Sequence, residues 1–144
     1  MRSLFDVNVI IALLDPNHPF KDRAHKWWSA NQALGWASCP ITENGVVRII
    51  SHPNYRKHER FSPALIIGLL ESFIGQTNHE FWPEAISLRD EKLFSRENIL
   101  RSGQLTDIDL LALAAAHEAT LVTFHQNISL HTVRIAKPQN LAVL

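Results

Sequence analysis

The segment from Ser3 to Asp15, SLFDVNVIIALLD, most strongly constrains the fold of this chain. Leu4 and Phe5 are adjacent apolar residues outside any helical pattern, so they predict a short strand that points into a core. After Asp6 the spacing becomes that of a helix, whose apolar residues are Val9, Ile10, Leu13 and Leu14. We therefore expect a strand that turns into a helix at Asp6.

Asp6 lies at the carboxyl end of this predicted strand, where open α/β sheets place their ligand sites. The same carboxylate can serve as an N-cap, because its oxygens accept hydrogen bonds from the first backbone N–H groups of a helix. Asn8 can hold the carboxylate or the turn through its side-chain amide. Other acids at the same edge are needed to favour a functional role for Asp6 over capping.

Length and composition indicate one globular domain that spans residues 1–144. The chain is too short for two ordinary domains, and 46% of its residues are hydrophobic. Its 14 basic and 14 acidic residues cancel, so binding of a polyanion requires a local patch. Neither a run of about 18 apolar residues nor a signal-peptide pattern occurs, so we expect no membrane span and a cytoplasmic protein.

A second strand-to-helix junction follows. Leu34–Pro40 predicts a strand, and Thr42 is expected to cap a helix whose apolar residues are Val46, Val47, Ile49 and Ile50. Glu43 then lies in the first turn of this helix, at a position equivalent to that of Asp6. Its carboxylate could also do no more than interact with the helix dipole, which is worth up to about 1 kcal/mol.

A third acid lies near the end of the chain. Thr106 and Asp109 match a helix-capping pattern, and they precede a strongly apolar segment that predicts a helix. Asp107 falls on the first helical residue and is left free of a capping role. Ala119–Phe124 predicts a strand that ends at polar residues, the first of which is His125.

The remaining segments complete an α/β pattern. Phe20–Ala30 predicts a helix and His79–Trp82 a strand, whereas Glu84–Leu100 is expected to be helical in part and Val133–Ala136 to form a last short strand. The alternation of strands and helices indicates an α/β fold with a mainly parallel sheet.

One predicted helix is more apolar than a single buried face requires. Ser62 is its expected cap and Pro63 its first residue. Its apolar residues are Leu65, Ile66, Ile67, Leu69, Leu70, Phe73 and Ile74. This excess predicts a second buried surface, such as a dimer or partner interface.

Asp6, Glu43 and Asp107 are all expected at helix starts that a parallel sheet can bring to one edge. Carboxylates within a few ångströms raise one another's pKa and destabilise the fold unless a cation neutralises them. Oxygen ligands favour Mg²⁺ or Mn²⁺ over zinc. Such an ion keeps waters that phosphate oxygens can replace, so the matching reaction is metal-assisted hydrolysis of a phosphodiester.

Three segments of the chain resemble the acidic motifs of a known family: DVNVIIALLDPNHP, ITENGVVRII and TDIDLLALAAAHEATLVTF. They look like those of PIN-domain ribonucleases, and most closely those of the VapC toxins of bacterial toxin–antitoxin pairs. The resemblance implies a three-layer α/β/α fold with a central, mainly parallel sheet. It also implies a Mg²⁺- or Mn²⁺-dependent endoribonuclease that cleaves RNA, forms a homodimer and is inhibited by a cognate antitoxin.

By position, Asp6, Glu43 and Asp107 resemble the first, second and third acids of the family, and Asn8 resembles the asparagine that accompanies the first. The resemblance thus makes all three acids catalytic candidates. Asp6 and Asp107 are the expected metal ligands, with Glu43 assisting them. Thr106, next to the third acid, is a supporting candidate.

The chain departs from the family pattern at the fourth acid. Such toxins commonly read TFD, but here Thr123 and Phe124 are followed by His125. His125 could bind metal through a neutral nitrogen, contact a phosphate or carry a proton, or it could leave a second metal site too weak to work. Thr123 is expected to support the site through its hydroxyl.

The densest basic patch lies in and just before the segment SHPNYRKHER. Such a run is usually a solvated loop, but it is also the first place to look for contacts with RNA phosphates. The candidate RNA-binding residues are Arg48, Arg56, Lys57 and Arg60.

Two other functions stay open on the sequence. His125 favours a catalytically weakened PIN-fold binding module that acts through antitoxin or RNA binding. The segment DVNV also faintly resembles the start of haloacid-dehalogenase-like phosphatases, which would make Asp6 a nucleophile. That chemistry requires a second aspartate at the position of Asn8 and a lysine near a later strand end, and neither is apparent.

Overall fold

A central sheet of five parallel strands organises the computed structural model, which describes all residues from Met1 to Leu144. The strands lie in the order β3, β2, β1, β4, β5, and every neighbouring pair is parallel. Their bounds are β1 Ser3–Phe5, β2 Trp36–Ser38, β3 His79–Phe81, β4 Thr120–Thr123 and β5 Leu141–Val143. The prediction of a mainly parallel sheet is confirmed.

Helices cover both faces of this sheet. Their bounds are α1 Val7–Leu14, α2 Lys21–Asn31, α3 Pro40–Ile50, α4 Pro63–Gly75 and α5 Leu105–Ala116. One core cluster joins the first four helices to Phe5 and Val122, and the other joins α5 to Leu4 and Leu121. Because successive strand residues point to opposite faces, these clusters lie on the two sides of the sheet. The α/β/α layering is therefore confirmed.

Helices α1 and α3 approach each other closely because Gly45 has no side chain. A Cβ atom there would lie 2.6 Å from Cγ2 of Val7, well inside contact distance. The two helices begin directly after the neighbouring parallel strands β1 and β2. The first turns that carry Asp6 and Glu43 therefore lie at the same edge of the sheet.

Two helices begin earlier than predicted. Helix α3 begins at Pro40 with Cys39 as N-cap, so Thr42 is not the cap; its hydroxyl instead bonds to the backbone N–H and carbonyl of Cys39. Proline fixes helical φ at this first position. Helix α5 begins at Leu105, directly after a 3₁₀ turn, so the predicted Thr106 capping box does not form. Asp107 accordingly lies within the first turn, two residues after the helix start.

The predictions for two later segments were wrong. Glu84–Leu100 contains only a 3₁₀ turn, Arg96–Asn98, and no α-helix. Its backbone bonds instead to the segment around Val133, where Ser95 N–H donates to Thr132 and Arg134 N–H to Leu93. Val133 consequently forms one isolated antiparallel bridge and not a strand. The apolar segment at the end of the chain provides the last strand, β5, which pairs with β4.

Helix α4 leaves large apolar side chains in solvent. Ser62 caps it by accepting from the backbone N–H of Leu65, as predicted. Only two of its residues are buried, whereas its exposed apolar residues include Leu65, Ile67 and Leu69. The chain itself therefore does not cover the second apolar face. With 13 residues, α4 is the longest helix, and none has the length and apolar character to cross a membrane.

Candidate metal centre at the carboxyl edge of the sheet

Asp6 is a buried carboxylate held by two hydrogen bonds. Only 4% of the residue is exposed. Its Oδ1 accepts from the backbone N–H of Val7 at 2.7 Å, which is the capping interaction. Its Oδ2 accepts from the hydroxyl of Thr123, at the end of β4, at 2.8 Å. Asp6 thus serves as a cap and also links the ends of two neighbouring strands.

The surroundings of Asp6 oppose its ionisation. Burial raises the pKa of Asp6 above its usual value, and the charge of Asp107 adds to this rise. The hydrogen bonds from Thr123 and Val7 and the proximity of His125 act in the opposite direction. Because the balance is a raised pKa, the ionised carboxylate costs folding stability, and a bound cation would offset that cost.

Asp107 and His125 complete a compact group beside Asp6. Nδ1 of His125 lies 3.0 Å from both carboxylate oxygens of Asp107 and 3.7 Å from Oδ2 of Asp6. One ligand atom from each residue lies within 4.8 Å of the other two. The imidazole is 46% exposed, so the group opens to solvent on one side. We call Asp6, Asp107 and His125 the Asp6 cluster.

The donor atoms of the Asp6 cluster fit a divalent cation. Carboxylate oxygens suit Mg²⁺ and Mn²⁺, whereas an imidazole nitrogen suits transition metals better than Mg²⁺. Three protein donors also leave positions of a six-coordinate ion to water or to phosphate oxygens. The two acids expected as metal ligands therefore meet, and the histidine at the position of the fourth acid joins them.

Glu43 forms a separate group with Ser38, the last residue of β2, and His79, the first residue of β3. Its Oε1 accepts from the hydroxyl of Ser38 at 2.6 Å, and the same hydroxyl lies 2.8 Å from Nε2 of His79. Glu43 is not among the residues whose ligand atoms converge at Asp6. We call Glu43, Ser38 and His79 the Glu43 cluster. The third predicted acid is thus held at the same edge of the sheet but by its own partners.

Two of the supporting candidates form no side-chain hydrogen bond with the acids. The side chain of Asn8 forms no hydrogen bond with Asp6; it lines a cavity of about 300 Å³ together with residues such as Asp15, His18 and Tyr55. Thr106 is exposed in the first turn of α5 and forms no side-chain hydrogen bond. Thr123, in contrast, donates its hydroxyl proton to the carboxylate of Asp6.

The basic residues differ in how far their charges are already paired. Arg56 forms ion pairs with Asp15 and Glu59, and Tyr55 also donates to Asp15, at 2.5 Å. Although burial alone would raise the pKa of Asp15, the bonds from Tyr55, the backbone and Arg56 lower it. Arg60 donates to two backbone carbonyls. Arg48 and Lys57 are exposed and form no ion pair within 4.0 Å.

Sequence reasoning missed Ser38 and His79. A hydroxyl at the end of a predicted strand, five residues before a candidate acid, was an available signal for Ser38. His79 offered no such signal, because it lies 41 residues from Ser38 and reaches it only through the pairing of β2 with β3.

The chain has close relatives of known family, although no family model matches it. It is 45% identical to Ribonuclease VapC44 of Mycobacterium tuberculosis over 144 residues, the whole of both chains. It is 38% identical to Ribonuclease VapC39 of the same species over 124 residues, 86% of this chain and 88% of the relative.

A solved structure of VapBC2 from Rickettsia felis, bound to a DNA fragment from their promoter, has the same fold. Its TM-score is 0.56 at 16% identity, and the match covers 87% of this chain and 88% of that one. The parallel sheet with acids at its carboxyl edge fits the PIN-domain class that the sequence motifs resemble. Identity of 45% over the full length of one curated relative and 38% over most of another assigns the chain more narrowly: it belongs to the VapC ribonuclease family.

Proposed function

We propose that this protein is the toxin of a type II toxin–antitoxin system and acts as a metal-dependent endoribonuclease. The observation that carries the proposal is the convergence of Asp6, Asp107 and His125 within 4.8 Å at the carboxyl edge of a parallel sheet. Buried or partly buried acids at this edge are costly without a cation, and ligand sites of α/β sheets lie there. The family membership supports the same activity.

Asp6 and Asp107 would hold one Mg²⁺ or Mn²⁺ ion, with His125 as a third donor and Glu43 assisting from the first turn of α3. When bound, such an ion offsets the negative charge of a phosphodiester and of its transition state. The protein's own contribution is positional. Thr123 and the backbone of Val7 fix the Asp6 carboxylate, and the side of the cluster that opens to solvent admits the RNA backbone.

For RNA binding we propose phosphate contacts from the last turn of α3 and the basic segment that follows it. Arg48 and Lys57 form no ion pair with an acid of the chain, and Arg60 is exposed in the same segment as Lys57. Arg56 serves mainly to fix the loop through Asp15. Replacing either Arg48 or Lys57 by alanine should lower the salt dependence of RNA affinity by about 0.7 in slope, as expected for a lost contact to single-stranded RNA. Unchanged slopes would contradict these contacts.

We also propose that the chain works as one PIN-like domain in the cytoplasm, with a cognate antitoxin protein and a second copy of itself as partners. Support comes from the exposed apolar residues of α4 and from the VapBC2 assembly of the Rickettsia felis structure. The protein should copurify with the product of an adjacent small gene. Light scattering that gives the mass of a monomer would contradict the homodimer.

The decisive experiment is RNA cleavage by the purified protein with Mg²⁺, with Mn²⁺ and with EDTA. We expect cleavage with either metal, none with EDTA, and none by the Asp6→Asn variant, which retains the capping oxygen. Asp22→Asn, at an exposed acid of α2, is the matched control and should cleave like the wild type. If the wild type binds RNA but does not cleave it with either metal, the chain is a binding module.

A further inference from the structure

The hydroxyl of Ser38 has two partners, and this fixes the direction of its hydrogen bonds. As a carboxylate, Glu43 can only accept, so the single hydroxyl proton goes to Oε1 at 2.6 Å. The contact of 2.8 Å to Nε2 of His79 must then be a bond in which the imidazole N–H donates. The order of donation is therefore from His79 to Ser38 to Glu43.

Packing holds this chain of hydrogen bonds in place. Ser38 is fully buried at the end of β2. The ring of His79 packs against Trp36, with ring centroids 4.5 Å apart, and the indole of Trp36 is itself buried and bonded to Thr77. Burial also lowers the pKa of His79, although the charge of Glu43 acts the other way, and a neutral imidazole agrees with a single donor at Nε2.

The restraint acts on one oxygen of Glu43 only. Oε1 accepts from Ser38, whereas no donor of the protein lies within hydrogen-bond distance of Oε2. A glutamate side chain has several rotatable bonds, so an exposed one samples many positions. Here one oxygen is fixed and the other is left for an external partner, such as the water or the substrate at the reaction site.

We propose that Ser38 and His79 are positioning residues that hold the Glu43 carboxylate in a single orientation for RNA cleavage. This inference rests on the proposed nuclease function. It also accounts for the separation of Glu43 from the Asp6 cluster: an acid held by its own hydroxyl and imidazole acts beside the metal group and is not one of its principal ligands.

The test compares Ser38→Ala, His79→Leu and His79→Gln with the wild type, by kcat and KM for RNA cleavage. Loss of a residue that orients a site group typically costs about tenfold to hundredfold. We expect Ser38→Ala and His79→Leu to lower kcat by that amount with KM changed less than about twofold. His79→Gln keeps an N–H donor at this position and should regain most of the activity. Ser72→Ala, on the exposed side of α4, is the matched control.

A double-mutant cycle separates positioning from a general structural role. If Ser38 acts through Glu43, Ser38→Ala should cost nothing further in kcat when Glu43 is already glutamine. Equal losses in both backgrounds would overturn the inference. Melting temperatures show whether each variant folds. If Ser38→Ala does not fold, the comparison of kcat between His79→Gln and His79→Leu still tests the inference.

The failure of this inference is distinguishable from the failure of the proposed function. Wild-type kcat in His79→Leu and in Ser38→Ala, together with loss of cleavage in Asp6→Asn, overturns the positioning role and leaves the nuclease intact. Absence of cleavage by the wild type with both metals overturns the nuclease and the inference together. A drop in kcat that His79→Gln does not recover shows that packing of the ring, and not its N–H donor, is what matters, and this also overturns the inference.

Discussion

The Asp6 cluster and the Glu43 cluster use the same kinds of side chain in different arrangements. In each, a hydroxyl at the end of a strand donates to an acid, from Thr123 to Asp6 and from Ser38 to Glu43. In the Asp6 cluster the imidazole lies directly against two carboxylates. In the Glu43 cluster it reaches the acid only through the hydroxyl. The first arrangement brings together donor atoms that fit a divalent ion, whereas the second restrains one oxygen of a single acid.

The largest expected effect tests the role of the first arrangement. Asp107→Asn should lower RNA cleavage by about a hundredfold or more, because members of a catalytic group act as a unit. In EDTA its melting temperature should stay the same or rise, since the charge of Asp107 disfavours ionised Asp6. Cleavage assays and melting curves beside Asp22→Asn check this. If Asp107→Asn is less stable but fully active, Asp107 only stabilises the start of α5 and is not part of the catalytic site.

The second effect concerns the Thr123 hydroxyl, which donates to Asp6 of the Asp6 cluster. Thr123→Val should lower the free energy of unfolding in EDTA by about 1–3 kcal/mol, because Oδ2 of Asp6 and the backbone N–H of His125 both lose a partner. Thr123→Ser keeps the hydroxyl and should recover most of the loss. Urea denaturation measures both variants. If the Thr123→Val variant is as stable as the wild type, the hydroxyl of Thr123 does not hold the Asp6 carboxylate in place.

The third effect tests whether direct contact makes His125 a metal donor. His125→Asp should lower the ratio of Mn²⁺ to Mg²⁺ affinity by about tenfold, because an oxygen donor replaces a nitrogen. It should also destabilise the metal-free protein, since a third carboxylate joins Asp6 and Asp107. Calorimetric titration with each ion measures the ratio, with His58→Asp in the exposed loop as control. An unchanged ratio would remove His125 from the ligand set.

The smallest effect concerns the partly buried imidazole of the Glu43 cluster. Burial lowers the pKa of His79 below its unfolded value of about 6.5. As the pH falls, the imidazole of His79 is therefore protonated in the unfolded chain before it is protonated in the folded one. The free energy of unfolding decreases as the pH falls from about 6.5 through the pKa of His79 in the folded protein. Between about pH 7.5 and about pH 5.5 the melting temperature should fall slightly more for the wild type than for His79→Gln. If the melting temperatures of the wild type and of His79→Gln change equally with pH, burial does not lower the pKa of His79.

Local patterns in the sequence predicted most of the elements. The change from strand to helix at Asp6, the helix cap at Ser62 and the strand before His125 all rest on neighbouring residues. Hydrophobic periodicity and capping act over one or two turns, so they are readable without the fold. The strand predicted near Val133 was wrong because the pairing of a strand depends on distant parts of the chain. The short apolar run near Val133 suits a strand, but the end of the chain competes for the free edge of β4 and occupies it.

The sequence by itself determined the parallel α/β fold and the acids at its strand ends, because side-chain period and helix caps are local properties. Only the tertiary structure decided which partners those acids take. His125 meets Asp107 across 18 residues and His79 meets Ser38 across 41, and neither distance follows from residue spacing. Such contacts exist because β4 pairs with β1 and β3 pairs with β2, and the pairing order of strands is set by the packing of the whole core.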